Sequence, residues 1–495
     1  MIKYLSTINH AIIDVGGENR LLVLGFSLYF LIIPASLYLL FSHWAYDDPF
    51  ITYRYARNLG EGLGFVYNPG ERVLSTTTPL FTLLLAFLSI FSSDLPHLAI
   101  LLGSFGLALG GFFLWDLAKS WNSPLVGWIA LLIYPTFSLL LLTLGSETPL
   151  YLAFCLGAFA FYARRNYELT AAFSGLAVLG RPDGILVPLL LAFHYFLYVR
   201  GKIPWKALLV FFALTGGWFG FAWIYFGSPI PATLGAKQGQ GLMAISQRFA
   251  PGLLTIIRPY GDKLIYWLEA ALAILGMFTA ILRKRRWALF LLWPVTYFAA
   301  YSALGVTRYF WYYAPLVPGF VISIGLGVEG IGKTKPAQNR LQPTFVRGLS
   351  GLFPLMLVGY LFLSQGFGVF QLQHDSDNRF VAYKAVGDWL DQHTSSEATV
   401  GALEVGIIGY YSHRSMVDFA GLIQPQVVSQ FSKDANYEDA AIWAINQYKP
   451  DYLVLHEGIF PRLEQGYAKK QCVLAHRFSG SDYGYSSDLS VYSCN

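Results

Sequence analysis

Apolar runs of membrane-spanning length recur along this chain, and they leave its backbone few ways to fold. Lipid offers no partner for a backbone N–H or C=O, so such segments cross as helices or as closed barrels. The first run, LLVLGFSLYFLIIPASLYLLF at 21–41, is continuous and long enough to span a bilayer as a helix. Further runs fall at 97–118, 124–143, 148–163, 207–226, 262–282, 286–304, 310–329 and 348–371, with two shorter ones at 169–180 and 184–199. Only 13% of the residues are charged and 55% are hydrophobic, against about 25% charged in soluble domains. The expected fold is therefore mainly α: a polytopic transmembrane helix bundle. The net charge of +5 is small and no long basic run interleaved with aromatics appears, so nucleic acid is not an expected partner. MIKYLSTINHAIIDVGGENR precedes the first run and no A-x-A-like site follows it, so 21–41 reads as a retained signal anchor.

Basic loop residues mark the cytoplasmic side. Lys3, Arg20, Lys119, Arg164, Arg165, Arg200, Lys202, Lys206, the cluster at 283–286 and Lys333 to Arg347 all fall there if the N-terminus is inside and the short run 78–93 does not cross. That run is then a re-entrant or surface-lying piece of the first outer loop, 42–96. The count is about eleven crossings, with the C-terminus outside. If 78–93 does cross, Lys119 or the later basic clusters fall on the wrong side, or another run stops short of crossing.

From about residue 376 the apolar runs shorten. The segment 378–393 has helical periodicity, with Phe380, Tyr383, Val386, Trp389 and Leu390 on one face. Strand-like ATVGAL, helix-like EVGIIGYYS, strand-like SMVDFAG, helix-like YEDAAIWAINQY and the strands DYLVLH, CVLAHRF and LSVYSC follow. Alternating helices and strands suggest an exported α/β domain, 376–495, after a membrane module, 1–375. Cys472 and Cys494 are equidistant from Tyr483, so an antiparallel hairpin would oppose them in a compartment that permits oxidation.

The topology collects polar motifs on one membrane face. Asp47 and Asp48 follow the first span, and Arg54 and Arg57, three residues apart, share one helix face on the following turns. Asp48 could instead cap a helix beginning at Pro49. Glu147 sits at the mouth of a helix pair in GSETPLY, where it or Ser146 could equally cap the next helix. Arg181-Pro182-Asp183 interrupts a hydrophobic hairpin; its arginine calls for an anion, either Asp183 or a phosphate. Arg308 and Tyr309 in GVTRYFWYYAP offer a second phosphate ligand and its neighbour, or a snorkelling arginine packed on aromatics. Lys237 lies in the Gly/Pro-rich loop GSPIPATLGAKQGQG, which suits a gate over a substrate.

DDPFITYRYARNLGEGLGFVYNPGERVLSTTTPLF resembles the first outer loop of polytopic GT-C glycosyltransferases, and most closely that of bacterial arabinofuranosyltransferase-like enzymes. GSETPLY, LGRPDG and GSPIPATLGAK also resemble elements of that family. The resemblance covers most of residues 1–310, with its specificity in the first 80. It implies a polyprenyl-phosphate sugar donor, a glycan, lipid or protein acceptor, and a multi-pass protein of the bacterial inner membrane working on its outer face. It implies that Asp47 or Asp48 is the catalytic carboxylate, Asp47 being the expected base. It also implies a divalent metal, Mg or Mn, held by Asp48 and Glu147. Arg181, Arg308 and Lys237 are the expected ligands of the donor phosphate, and Arg54, Arg57, Glu147, Asp183 and Tyr309 the expected substrate contacts. One-step displacement would invert the anomeric centre. The rival classes are a transporter or flippase of lipid-linked sugars, which calls for paired broken helices in two halves, and an envelope-assembly subunit.

Overall fold

The computed structural model describes residues 17–332, 344–373 and 378–494. Among them, seven helices are long and apolar enough to cross a membrane: Arg20–Phe41, Leu95–Ser120, Pro182–Val199, Trp205–Phe226, Leu264–Leu282, Arg286–Leu304 and Phe310–Ile331. Pro124–Thr136, Thr148–Ala163 and Met356–Leu372 are apolar but shorter. The chain is a multi-pass membrane protein. The run expected at 124–143 is not one helix. It breaks at Pro135 into Pro124–Ile133, a 3-10 turn and Ser138–Leu141, because proline withholds an N–H from the helical ladder. Pro79–Leu88, inside the expected re-entrant piece, has ten residues. At about 1.5 Å per residue it covers half of a hydrocarbon core.

Large aromatics fill the bundle core, among them Trp287, Trp293, Tyr134, Tyr151 and Phe159. One contact is closer than any side chain allows. A Cβ on Gly276 would lie 1.7 Å from the Ser323 carbonyl, so helix Leu264–Leu282 meets helix Val317–Gly332 backbone to backbone through small residues.

The C-terminal region is an α/β layer. Its strands are β1 (Thr399–Ala402), β2 (Ser415–Asp418), β3 (Tyr452–His456), β4 (Val473–Phe478) and β5 (Leu489–Ser493), in the order β2-β1-β3-β5-β4. β1 pairs in parallel with both β2 and β3; β5 runs antiparallel to β3 and to β4. Helices Arg379–His393 and Tyr437–Tyr448 are the two long helices of this layer. The β4–β5 hairpin pairs Val473 with Ser493 about residue 483, and a disulfide joins Cys472 to Cys494. His456, the last residue of β3, is buried and shares a 3.0 Å hydrogen bond with the Tyr383 hydroxyl.

What positions the site is a core common to both regions. Phe50, Ile51, Tyr53 and Phe65 from the first loop pack with Val405, Ile407, Ile408 and Tyr410 after β1. Polar side chains of the loop then bond the backbone of the C-terminal layer. Arg54, only 2% exposed, donates to the carbonyls of Gly409 at 2.7 Å and Arg414 at 2.6 Å. Arg57 donates to Tyr410 at 2.8 Å, and Tyr67 to Val405 at 2.5 Å. Asn68 exchanges two hydrogen bonds with the Met416 backbone. Charged donors aimed at carbonyls make strong hydrogen bonds, about 1.5–3 kcal/mol each, so the first loop is a docking platform.

Candidate active site

Two cavities meet at the start of helix Asp48–Gly60. The first, about 420 Å³, is lined by Asp48, Glu147, Arg181, Asp183 and Lys237, by hydroxyls of Thr52, Thr76 and Thr78, and by the rings of Tyr301, Trp311 and Tyr312. Its flank toward helices Trp205–Phe226 and Arg286–Leu304 carries Phe219, Ile230, Leu234 and Leu304, all four of them exposed on the protein surface. One wall is therefore apolar and open on the outer surface of the protein. The second cavity, about 430 Å³, lies against the C-terminal layer. Asp47, Asp48, Arg308, Tyr309, Arg379, Glu404 and Tyr437 line it. Asp48, Tyr46, Trp311 and Leu422 belong to both linings and form the partition.

The two neighbouring aspartates have separate partners. Asp47 occupies the N-cap position of helix Asp48–Gly60 but does not cap it. Its carboxylate turns to the C-terminal layer and accepts the N–H of Gly406 at 3.0 Å and of Ile407 at 2.7 Å. Asp48 opens the helix, one residue earlier than a cap at Asp48 would give, and accepts from Lys237 Nζ at 3.1 Å. Burial pushes the Asp47 carboxyl up despite those two amides, and the charge of Asp48 adds to the push. Lys237 is buried on helix Thr233–Leu242, and its ammonium sits 3.8 Å over the Tyr309 ring. Burial works against its charge, but the Asp48 carboxylate prevails and lifts its pKa.

Arg181 crosses the first cavity wall in extended backbone between helices Tyr167–Gly180 and Pro182–Val199. Its guanidinium forks onto both Asp183 oxygens at 3.1 and 3.0 Å, and donates to Tyr301 at 3.0 Å and Thr148 at 3.3 Å. Glu147 Oε1 lies 3.7 Å from it, and burial raises the Glu147 carboxyl. The internal Arg181–Asp183 pair is thus formed, and it presents the arginine to the cavity. Arg308 faces the other cavity. It is half-buried, and its guanidinium forms no hydrogen bond or ion pair with the described residues. Arg54 and Arg57, expected beside a substrate, line neither cavity; their side chains are taken up by the carbonyls of the C-terminal layer.

The chain aligns with the crystal structure of ArnT from Cupriavidus metallidurans bound to undecaprenyl phosphate over 94% of its own length and 98% of that chain, at a TM-score of 0.62 and 13% identity. The fold is that of ArnT. The apo crystal structure of the same ArnT matches at a TM-score of 0.60 and 14% identity, over 95% of this chain and 98% of that one. This is the polytopic architecture expected from the GT-C resemblance. A family profile described as a domain of unknown function, DUF8728, matches residues 371–492. No curated protein matches the chain by sequence.

Within this ArnT-like fold the donor set does not suit a divalent cation. Among the described residues no three His, Cys, Asp or Glu side chains gather as metal ligands. Asp48 and Glu147, the expected metal-binding pair, each face a cation of the chain, Lys237 and Arg181.

Two acidic groups escaped the sequence reading. Glu404 follows β1, and Asp418 ends β2. β1 has β2 on one side and β3 on the other, so Glu404 lies beyond the carboxyl end of the strand where the parallel order reverses. That is where open α/β sheets bind ligands. Recognising three parallel strands around ATVGALE would have flagged it. Burial lifts the Glu404 carboxyl, and the charge of Asp47 adds to this. Asp418 is committed to its own loop, accepting the N–H groups of Ala420, Leu422 and Ile423.

Proposed function

We propose that this protein transfers a sugar from a polyprenyl-phosphate donor to a hydroxylated acceptor. The observation that carries this reading is Asp48, on the wall between a cavity that holds Lys237 and Arg181 beside an apolar flank and a polar cavity beneath the C-terminal layer. The prenyl chain lies along Phe219, Ile230 and Leu304. The donor phosphate enters beside Lys237 and Arg181. Both cations hold carboxylates in the free protein, and an incoming phosphate shares their charge. As Lys237 turns to the phosphate, Asp48 is released to accept a proton.

The reaction is a single displacement. The acceptor oxygen bonds the anomeric carbon, the bond from that carbon to the phosphate oxygen breaks, and polyprenyl phosphate leaves. The acceptor proton goes to Asp48. Lys237 and Arg181 stabilise the charge that grows on the leaving phosphate. Attack opposite the leaving group inverts the anomeric centre. Asp48 is preferred to Asp47 as base because both Asp47 oxygens already hold backbone amides. The work is done at the outer face of the membrane, with the C-terminal layer on that side.

The test is lipid analysis of cells lacking the protein. A polyprenyl-phosphate sugar should build up, and its mass names the donor. An unchanged pool of such lipids contradicts the reading.

A further inference from the structure

The second cavity has no task in donor binding, and its lining differs from that of the first. Rings of Tyr46, Tyr309, Phe310, Trp311 and Tyr437 wall it. Two ionisable groups that face it are uncommitted. Glu404 makes no hydrogen bond or ion pair with the described residues, and neither does the guanidinium of Arg308. A polar group left without a partner in a partly buried wall is costly unless a ligand satisfies it. Glu404 is also held in place from across the cavity. Asp47 fixes the amides of Gly406 and Ile407, two and three residues further along the chain. Faces of sugar rings suit aromatic walls, a carboxyl suits hydroxyls, and a guanidinium suits a phosphate or carboxylate.

We propose that this cavity is the acceptor subsite, that its ligand is a sugar bearing an anionic substituent, and that Glu404 bonds the sugar hydroxyls while Arg308 holds the anion. The C-terminal layer then completes the site, since Glu404 comes from it and Asp47 of the membrane module positions it. Arg308, expected on the donor phosphate, serves the acceptor instead. This rests on the proposed transfer reaction, since it needs an acceptor on the far side of Asp48. Asp47 is here a positioning residue; Glu404 and Arg308 touch the ligand.

The test uses the full chain in lipid nanodiscs saturated with undecaprenyl phosphate, so that the first cavity is filled. The probes are a hexose 6-phosphate, the neutral methyl hexoside, and the same phosphohexose on a decyl chain embedded in the nanodisc. The phosphohexose should bind at least about tenfold more tightly than the neutral sugar. Arg308→Gln should erase that preference. Glu404→Ala should weaken both sugars about tenfold, with Glu404→Gln in between. Equal binding of the free and decyl-linked phosphohexoses assigns recognition to the headgroup; binding of the decyl form alone adds a lipid requirement and keeps the subsite. Undecaprenyl phosphate binding should survive in all three variants, which shows that they fold. If wild type binds undecaprenyl phosphate but neither phosphohexose, or binds them equally well in every variant, the acceptor subsite is wrong and the donor reading stands. If wild type does not bind undecaprenyl phosphate, the donor reading fails as well.

Discussion

The carboxylate of Asp47 accepts the backbone N–H of Ile407 at 2.7 Å, a bond between residues 360 apart in the chain. It ties the first loop of the membrane module to the turn that carries Glu404. Asp47→Asn keeps the side-chain shape but replaces one accepting oxygen with a donor, which then faces an N–H. Sugar transfer should fall by about 10²-fold. Amide exchange of residues 405–412 should rise, while membrane insertion is unchanged. Transfer within twofold of wild type would remove Asp47 from the site.

Lys237→Met should act on the donor. The substitution removes the charge expected to meet the phosphate and leaves Asp48 without its 3.1 Å partner. Donor kcat/KM should drop by about 10²-fold or more. The measurement is initial rate against donor concentration. Unaltered donor kinetics would move phosphate binding to Arg181 alone.

Glu404 gives a pH signature. Its carboxyl is pushed from 4.5 up to about 8, chiefly by burial and next by Asp47, with Arg379 opposing and Asp48 and Asp418 adding to the rise. The folded protein therefore holds this proton more tightly than the unfolded chain. The stability so gained is complete below about pH 4.5 and is lost as pH climbs toward 8. Glu404→Gln cannot ionise, so its thermal midpoint should gain on wild type between pH 5 and pH 9, by about 2 °C or more. Melting curves at the two pH values decide it; a constant difference would mean that Glu404 is solvated.

The disulfide closes a sequence separation of 22 residues at the end of the sheet. Cys472→Ser with Cys494→Ser should lower the stability of the C-terminal layer by about 3 kcal/mol in the chain-entropy picture. Intact mass of the native protein, alkylated with and without reductant, should show two thiols at these positions only after reduction.

Much of this architecture can be read from local sequence. Membrane helices announce themselves by unbroken hydropathy, and the five strands and two long helices of the C-terminal layer by their periodicities. Cys472 and Cys494 follow from the symmetry of one hairpin about Tyr483. Arg181-Pro182-Asp183 stands out because a charged triplet in an apolar hairpin is expensive unless it is used. What each polar side chain meets is set by contacts distant in the chain. Arg54 and Arg57 share a face of one helix, and nothing local reveals that carbonyls more than 350 residues later accept from them. Glu404 sits in ALEVG, where any polar residue could join a strand to a helix. Its meaning comes from the strand order β2-β1-β3 and from the Asp47 clamp, both of them long-range.

The most direct measurement is transfer by purified Asp48→Asn. The donor is the polyprenyl-phosphate sugar isolated from cells lacking the protein, and the acceptor is the envelope fraction of the same cells. Wild type should release polyprenyl phosphate and move the sugar with inversion at the anomeric carbon. Asp48→Asn should bind undecaprenyl phosphate normally yet turn over about 10²–10⁴-fold more slowly. Asp48→Asn that consumes the donor at the wild-type rate, or a wild type that leaves the donor untouched, would contradict the account.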